Sequence, residues 1–128
     1  MIVDSSAIVA VVLAEPGCDE LIEKLGTTEH TGIGAPTLAE TAIVLSARLG
    51  RDARTLLTRL LDEASIEVVP FGEAHYRAAV DAWWRFGKGR HEASLNFGDC
   101  MSYATASLAR QPLLCTGEDF RRTDLQLA

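Results

Sequence analysis

Four acidic residues occupy the same kind of position in the sequence, after a predicted strand and in the first turn of the next helix. They are Asp4, Glu40, Asp99 and Asp119. In a parallel sheet the carboxyl ends of neighbouring strands lie on one edge, so these carboxylates are expected to converge. Converging carboxylates repel one another unless a cation lies among them, and oxygen ligands without histidine or cysteine suit Mg²⁺ or Mn²⁺. Such an ion can orient a phosphodiester and activate a bound water, so the pattern indicates a metal-dependent phosphodiesterase site.

Each acid also has a local explanation in helix capping. Ser5 and Ser6 can each cap the helix that follows Asp4. The other three acids stand three residues after a possible N-cap, in the strict or loose form of a capping box: Thr37-x-x-Glu40, Asn96-x-x-Asp99 and Thr116-x-x-Asp119. For each of these three acids taken singly the capping interpretation is favoured, whereas the recurrence of all four acids favours a shared site.

Short apolar runs separated by helical segments predict the elements that would carry these acids. Ile2 and Val3 have no polar residue between them, as in a strand buried on both faces. Three more strands are predicted, at Thr31–Gly34, Ile66–Pro70 and Leu113–Cys115. Strands separated by one or two helices imply right-handed crossovers. We therefore expect an α/β fold with a mostly parallel central sheet and helices on both sides, in a single domain over residues 1–128.

The net charge of −6 argues against non-specific binding to a polyanion. Two local clusters of basic residues nevertheless permit contact with a phosphate backbone. The candidates for contact with a phosphate backbone are Arg48, Arg51, Lys88 and Arg90. The alternative for each of them is an exposed side chain on a solvated helix face or loop.

The three cysteines have no close spacing, so we expect reduced thiols rather than a disulfide or zinc framework. The longest uninterrupted apolar run, residues 7–14, is too short to span a bilayer. No basic leader precedes the first apolar run. These features predict a cytoplasmic protein that does not associate with a membrane.

Four segments resemble, in order, the successive motifs of one protein family. They are Met1-Ile2-Val3-Asp4-Ser5-Ser6, Pro36-Thr37-x-x-Glu40, Leu95-Asn96-Phe97-Gly98-Asp99-Cys100-x-x-Tyr103-Ala104, and Thr116-Gly117-Glu118-Asp119-Phe120 with Thr123-Asp124 after it. On these motifs the chain resembles PIN-domain proteins and, more narrowly, the VapC toxins of bacterial toxin–antitoxin pairs. The segment from Asn96 to Cys100 is the most distinctive part of the resemblance.

The resemblance implies a fold, an activity and partners. The fold would be a PIN-like three-layer αβα sandwich. The activity would be that of a Mg²⁺-dependent endoribonuclease, with Mn²⁺ as a substitute, acting as the toxin of a type II toxin–antitoxin system. The partners would be the RNA substrate, a VapB-like antitoxin that blocks the site, and a second copy of the chain in a homodimer.

Carried over position by position, the four acids would form the catalytic quartet. Asp4 and Asp99 would be direct metal ligands, and Asp119 would complete the metal site, often through water. Glu40 would ligate metal or help to take a proton from the attacking water. The hydroxyls of Ser5, Ser6 and Thr116 would support the metal shell. Asn96 would act as a helix cap that fixes Asp99.

The last acid of the quartet has two possible registers, because Glu118 directly precedes Asp119. Asp119 is preferred because Thr116 and Phe120 bracket it as the motif requires.

Two adjacent tryptophans, Trp83 and Trp84, lie in a predicted helix. Neighbouring side chains on a helix point about 100° apart, so one ring is expected in the core. The other would lie at a dimer or antitoxin surface.

Two other functions fit parts of the pattern. A catalytically silent PIN-like module that binds its antitoxin would carry the same fold. Phosphoryl transfer onto Asp4, as in phosphatases of the haloacid dehalogenase kind, needs a second acid two residues later or a lysine at a late strand end. Ser6 occupies the first of these positions and the only lysines are Lys24 and Lys88, so an aspartyl-phosphate phosphatase is the weaker alternative.

Overall fold

The computed structural model describes residues 1–128 and is built on a four-stranded sheet in which every strand pair is parallel. The strands are β1 (Ile2–Val3), β2 (Thr31–Gly34), β3 (Ile66–Val69) and β4 (Leu113–Leu114). Their order across the sheet is β3-β2-β1-β4. The predicted parallel sheet is confirmed, and β1, which leads into Asp4, is an interior strand between β2 and β4.

Six α-helices flank the sheet. They are α1 (Ser5–Val12), α2 (Cys18–Thr27), α3 (Ala35–Leu49), α4 (Arg54–Glu63), α5 (Glu73–Phe86) and α6 (Phe97–Ala109), and a short 3-10 helix follows at Asp119–Arg122. None of the helices is long and apolar enough to cross a membrane.

The two residues of β1 show how the layers are arranged. Val3 packs in a core with Ile8 of α1 and with apolar residues of α2, α3 and α4. Ile2 points to the opposite face and packs with Phe86 of α5 and Tyr103 of α6. Because successive side chains of a strand alternate between faces, an all-apolar strand joins both cores. The structure is therefore the predicted three-layer αβα sandwich.

Most of the predicted helix caps are wrong, because the helices begin at other residues. Asp4 is itself the N-cap of α1, and its Oδ2 accepts from the backbone N–H of Ser6 at 3.0 Å, so Ser5 and Ser6 lie inside the helix. Strand β2 passes directly into α3, which places Gly34 at the N-cap without a side-chain hydrogen bond. Thr37 is consequently inside the first turn, where Pro36 also suits the helix because no N–H is needed.

Only one of the three predicted capping boxes forms. The backbone N–H of Asp99 donates to Asn96 Oδ1 at 2.9 Å, and that of Asn96 donates to Asp99 Oδ2 at 3.0 Å. The box at Thr37 and Glu40 does not form, because α3 begins earlier than the motif suggests. The box at Thr116 and Asp119 does not form either, since the 3-10 helix begins at Asp119 itself.

The expectation that one tryptophan lies in the core is wrong. Trp83 is 41% exposed and Trp84 is 57% exposed. The buried residues of α5 are Ala79, Ala82 and Phe86, so both indole rings remain outside the core. The guanidinium of Arg90 lies 5.0 Å from the Trp83 ring centre and 4.1 Å from the Trp84 ring centre, a cation–π arrangement.

We expect the core on the α1 side of the sheet to be sensitive to loss of volume. Ile8 is 0% exposed and Ile43 of α3 is 70% exposed. Ile8→Ala should lower the free energy of unfolding by about 2–5 kcal/mol through the lost transfer energy and the cavity. The matched Ile43→Ala change should cost roughly 0.5 kcal/mol or less. Urea denaturation followed by circular dichroism measures both, and equal losses would contradict this assignment of the core.

Candidate active site

Asp4 lies at the carboxyl end of the central strand β1 and is only 4% exposed. Its Oδ2 accepts from the Ser6 N–H at 3.0 Å and from the Ser6 hydroxyl at 2.6 Å, and its Oδ1 accepts from the Ser102 hydroxyl at 2.5 Å. No lysine, arginine or histidine forms an ion pair with it. A buried carboxylate is costly unless it is paired or binds a metal, so Asp4 is a carboxylate that a cation would stabilise.

Asp99 lies in the first turn of α6, where the capping box with Asn96 fixes its orientation as predicted. The pKa of Asp99 is raised from 3.8 to about 6, mainly by burial and in part by the charges of Asp4, Asp119 and Glu40, and the hydrogen bond from the Asn96 N–H opposes this rise. Asp99 follows a single β-bridge between Gly87 and Leu95, and not a strand as the motif pattern suggested. It still reaches the same edge, because α6 leads into β4 and a helix before a parallel strand begins at the carboxyl end of the sheet.

Glu40 and Asp119 complete the acidic neighbourhood, and neither side chain forms a hydrogen bond or an ion pair within the chain. Glu40 lies against the backbone of Gly98, where a side-chain carbon would overlap the carboxylate. Glycine at this position therefore lets Glu40 approach the start of α6, and a larger residue would displace the Glu40 carboxylate. Glu118 instead pairs with Arg121 at 3.5 Å, and it is the charge of Asp119 that raises the pKa of Asp99. These contacts favour the register in which Asp119 is the last acid.

The four carboxylates do not form a preassembled cage. No three aspartate, glutamate, histidine or cysteine side chains lie close enough together to coordinate one ion. Mg²⁺, however, keeps several of its waters and is commonly held by one or two carboxylates and the substrate phosphates. Asp4 and Asp99 have carboxylate oxygens with lone pairs that no hydrogen bond uses. The chemistry of these residues therefore fits a hydrated divalent ion. A metal shared by Asp4, Asp99 and Asp119 stays a prediction.

The predicted supporting hydroxyls have different surroundings. The Ser6 hydroxyl donates to Asp4 and accepts from the backbone N–H of Thr116 at 3.0 Å, so it joins the ends of β1 and β4. Thr116 is thus connected through its backbone rather than through its hydroxyl. Ser5 makes no side-chain hydrogen bond.

Three residues near the acids were not identified as site residues from the sequence. Ser102 donates to Asp4, and Thr37 contacts Ser102 at 3.1 Å between the hydroxyl oxygens. Burial raises the pKa of Cys115 to about 11, with Asp4 adding to the rise and Arg121 opposing it. The one available signal for Ser102 was its position three residues after Asp99, which places both on one helix face.

All three cysteines are free, as expected.

The basic candidates are spread over the molecule. Lys88 lines an apolar groove of about 640 Å³ together with Asn96 and Phe97, and so lies beside the start of α6. Arg48 lies near the other end of α3, about 12 Å from Glu40 along the helix axis. Arg51 follows that end, and Arg90 packs on the two tryptophans. Contact with RNA remains a prediction for all four, and Lys88 is the best placed.

Comparison with known proteins identifies the family. The family model described as the PIN domain matches residues 1–125. The chain belongs to the PIN-domain family. This PIN domain is 50% identical over 127 residues to ribonuclease VapC36 of Mycobacterium tuberculosis, which covers 98% of the chain and 91% of that protein. It is 40% identical over 125 residues to ribonuclease VapC of Mycolicibacterium smegmatis, covering 98% of the chain and 97% of that protein. The resemblance to VapC toxins is confirmed.

Solved structures show the same fold for this PIN domain. Mycobacterium tuberculosis VapC20, described as a sarcin-ricin loop cleaving toxin, superposes with a TM-score of 0.79 at 17% identity, covering 99% of this chain and 97% of the other. A toxin–antitoxin complex from Klebsiella pneumoniae superposes with a TM-score of 0.72 at 17% identity, covering 99% and 95%. At such low identity these likenesses establish the fold alone.

The raised pKa of Asp99 predicts how the stability of this PIN domain changes with pH in metal-free buffer. Between its ordinary value of 3.8 and its folded value of about 6, the folded protein binds a proton that the unfolded chain has released. Stability should therefore fall as the pH rises through this window. The Asp99→Asn variant keeps an acceptor for the Asn96 N–H and should show a smaller fall in Tm between about pH 4 and pH 6.

The exposed Asp81 on α5 provides a control, because Asp81→Asn removes a carboxylate far more open to solvent. Its pH profile should match that of the unmodified protein. Identical profiles for the unmodified protein and Asp99→Asn would show that Asp99 does not carry the effect.

Proposed function

We propose that this chain is a Mg²⁺- or Mn²⁺-dependent endoribonuclease and the toxin of a type II toxin–antitoxin pair. The observation that carries the proposal is that Asp4 is buried without an ion pair to any basic side chain and has Asp99, Glu40 and Asp119 around it. The charges of the other three acids raise the pKa of Asp99, and a divalent ion among the carboxylates would relieve this repulsion. The relatives named ribonuclease VapC support RNA as the substrate.

The proposal gives each acid the role that the family resemblance implies. Asp4 and Asp99 would hold the ion directly, and Asp119 would hold it through water. The ion, when bound, supplies charge to the phosphodiester oxygens and lowers the pKa of a water. Glu40 has no internal partner, so its carboxylate is free to accept the proton of the attacking water. Lys88 is placed to contact a phosphate beside the start of α6.

The partners and setting belong to the same proposal. A VapB-like antitoxin would block the acidic edge, and a second copy of the chain would form a homodimer in the cytoplasm, with residues 1–128 acting as one domain. The structure exposes apolar side chains that suit protein partners: Phe97 is 80% exposed, Ile43 is 70% exposed and Trp84 is 57% exposed. Phe97 also lines one apolar groove with Trp83, and a contiguous exposed apolar surface commonly marks an interaction site. The toxin–antitoxin complex found for a protein of the same fold is consistent with such a partner.

The activity is tested by cleavage of a structured RNA with a single-stranded loop, in Mg²⁺ or Mn²⁺ and with chelator as the blank. Asp4→Asn and Asp99→Asn should each slow cleavage by about a hundredfold or more, because a metal contributes several kcal/mol and each 1.4 kcal/mol is about tenfold. Asp119→Asn should also slow cleavage.

The neighbouring Glu118→Gln change is the matched control and should leave the rate nearly unchanged, since Glu118 pairs with Arg121 at the surface. Full activity in both Asp4→Asn and Asp99→Asn would overturn the assignment of the site. Binding of Mn²⁺ without cleavage of any RNA would favour the catalytically silent module.

A further inference from the structure

We propose that Ser102 and Thr37 are positioning residues that orient the Asp4 carboxylate for a divalent ion through a relay of two buried hydroxyls. The inference rests on the proposed function and extends it to residues outside the acidic quartet. Ser102 and Thr37 are each 1% exposed, and Asp4 is 4% exposed. Water therefore does not compete for their hydrogen bonds.

The direction of the protons in the relay is fixed by chemistry. An ionised carboxylate only accepts hydrogen bonds, so the Ser102 hydroxyl must donate its single proton to Asp4 Oδ1, at 2.5 Å. Ser102 then has only lone pairs to offer to Thr37, which lies 3.1 Å away between the hydroxyl oxygens. Thr37 must therefore donate to Ser102. A hydroxyl that itself receives a hydrogen bond becomes a better donor, so Thr37 strengthens the contact to Asp4.

The hydrogen bonds leave one part of Asp4 open. Each carboxylate oxygen has about two lone-pair sites. Oδ2 accepts two hydrogen bonds from Ser6, one from the backbone and one from the hydroxyl. Oδ1 accepts only the bond from Ser102. The geometry thus assigns the remaining lone pair of Oδ1 to the ion, and Ser102 sets the rotation of the carboxylate that determines where this lone pair points.

The relay also connects the elements that carry three of the acids. Ser102 lies on α6, three residues after Asp99, and Thr37 lies on α3, three residues before Glu40. Three residues are close to one helical turn, so each hydroxyl lies on the same side of its helix as the acid. A hydroxyl contact between α3 and α6 that ends on β1 would fix Asp4, Asp99 and Glu40 relative to one another.

The experiment measures Mn²⁺ binding to the metal-free protein, by electron paramagnetic resonance of the free hydrated ion, together with the Mn²⁺ concentration that gives half-maximal cleavage of RNA. Ser102→Ala should weaken Mn²⁺ binding by about 10–100-fold, the usual effect of removing a group that orients a ligand. Thr105→Val is the control, because Thr105 is also buried on α6 but donates only to the Met101 carbonyl of its own helix. Its Mn²⁺ affinity should match that of the unmodified protein.

A second pair of variants separates positioning from folding. Thr37→Val keeps the shape and removes the hydroxyl, whereas Thr37→Ser keeps the hydroxyl. Thr37→Val should weaken Mn²⁺ binding and Thr37→Ser should restore it, even where both have the same Tm. This pair of Thr37 variants still tests the positioning role of the relay if the Ser102→Ala variant does not fold.

The outcomes distinguish the two proposals. If the unmodified protein binds Mn²⁺ and cleaves RNA while Ser102→Ala and Thr37→Val bind Mn²⁺ equally well, the relay has no positioning role and the proposed function stands. If Thr105→Val weakens binding as much as Ser102→Ala does, the effect belongs to general packing and the relay is overturned. If the unmodified protein binds no Mn²⁺, the proposed function and the relay both fail.

Discussion

A buried carboxylate without a cationic partner is the constraint on which the rest of the site depends. Asp4 ends the central strand, is 4% exposed, and is stabilised only by a backbone N–H and two serine hydroxyls. Such hydrogen bonds offset part of the cost of burying a charge, but neutral donors do not cancel it. Asp99, Asp119 and Glu40 then add negative charge nearby, as the raised pKa of Asp99 shows. The folded protein therefore has unfavourable carboxylate burial and repulsion at one edge of the sheet, and a divalent ion would relieve both.

The topology explains why this cost falls at a single place. With β1 between β2 and β4, the chain leaves the sheet at adjacent points after each of these strands. Asp4 follows β1, and Glu40 lies in the second turn of α3 after β2, one turn later than the sequence suggested. Asp119 follows β4, whereas Asp99 comes from the start of the helix that leads into β4. Helix N-termini carry partial positive charge, which favours carboxylates there. Glycine at position 98 then allows Glu40 to approach α6 closely.

Much of the fold could be predicted because local patterns determine it. The apolar pair Ile2 and Val3 predicts a doubly buried strand, and the Asn96 cap predicts the start of α6. The caps at Thr37 and Thr116 were wrong because a short motif does not show where the chain leaves a strand. The contact between Ser102 and Asp4 spans 98 positions in sequence, and no local sequence pattern predicts it. Trp83 and Trp84 are exposed because α5 buries Ala79, Ala82 and Phe86 instead, and apolar periodicity alone does not reveal which face of the helix is buried.

The central claim is that the acids around Asp4 form one divalent-ion site at the carboxyl edge of the sheet. The most direct measurement is anomalous X-ray diffraction from crystals of the protein grown with Mn²⁺. We predict one anomalous peak about 2 Å from Asp4 Oδ1 and from an oxygen of Asp99, with waters completing the coordination. Well-ordered Asp4 and Asp99 side chains with no anomalous peak between them, or a Mn²⁺ ion bound only elsewhere, would contradict the claim.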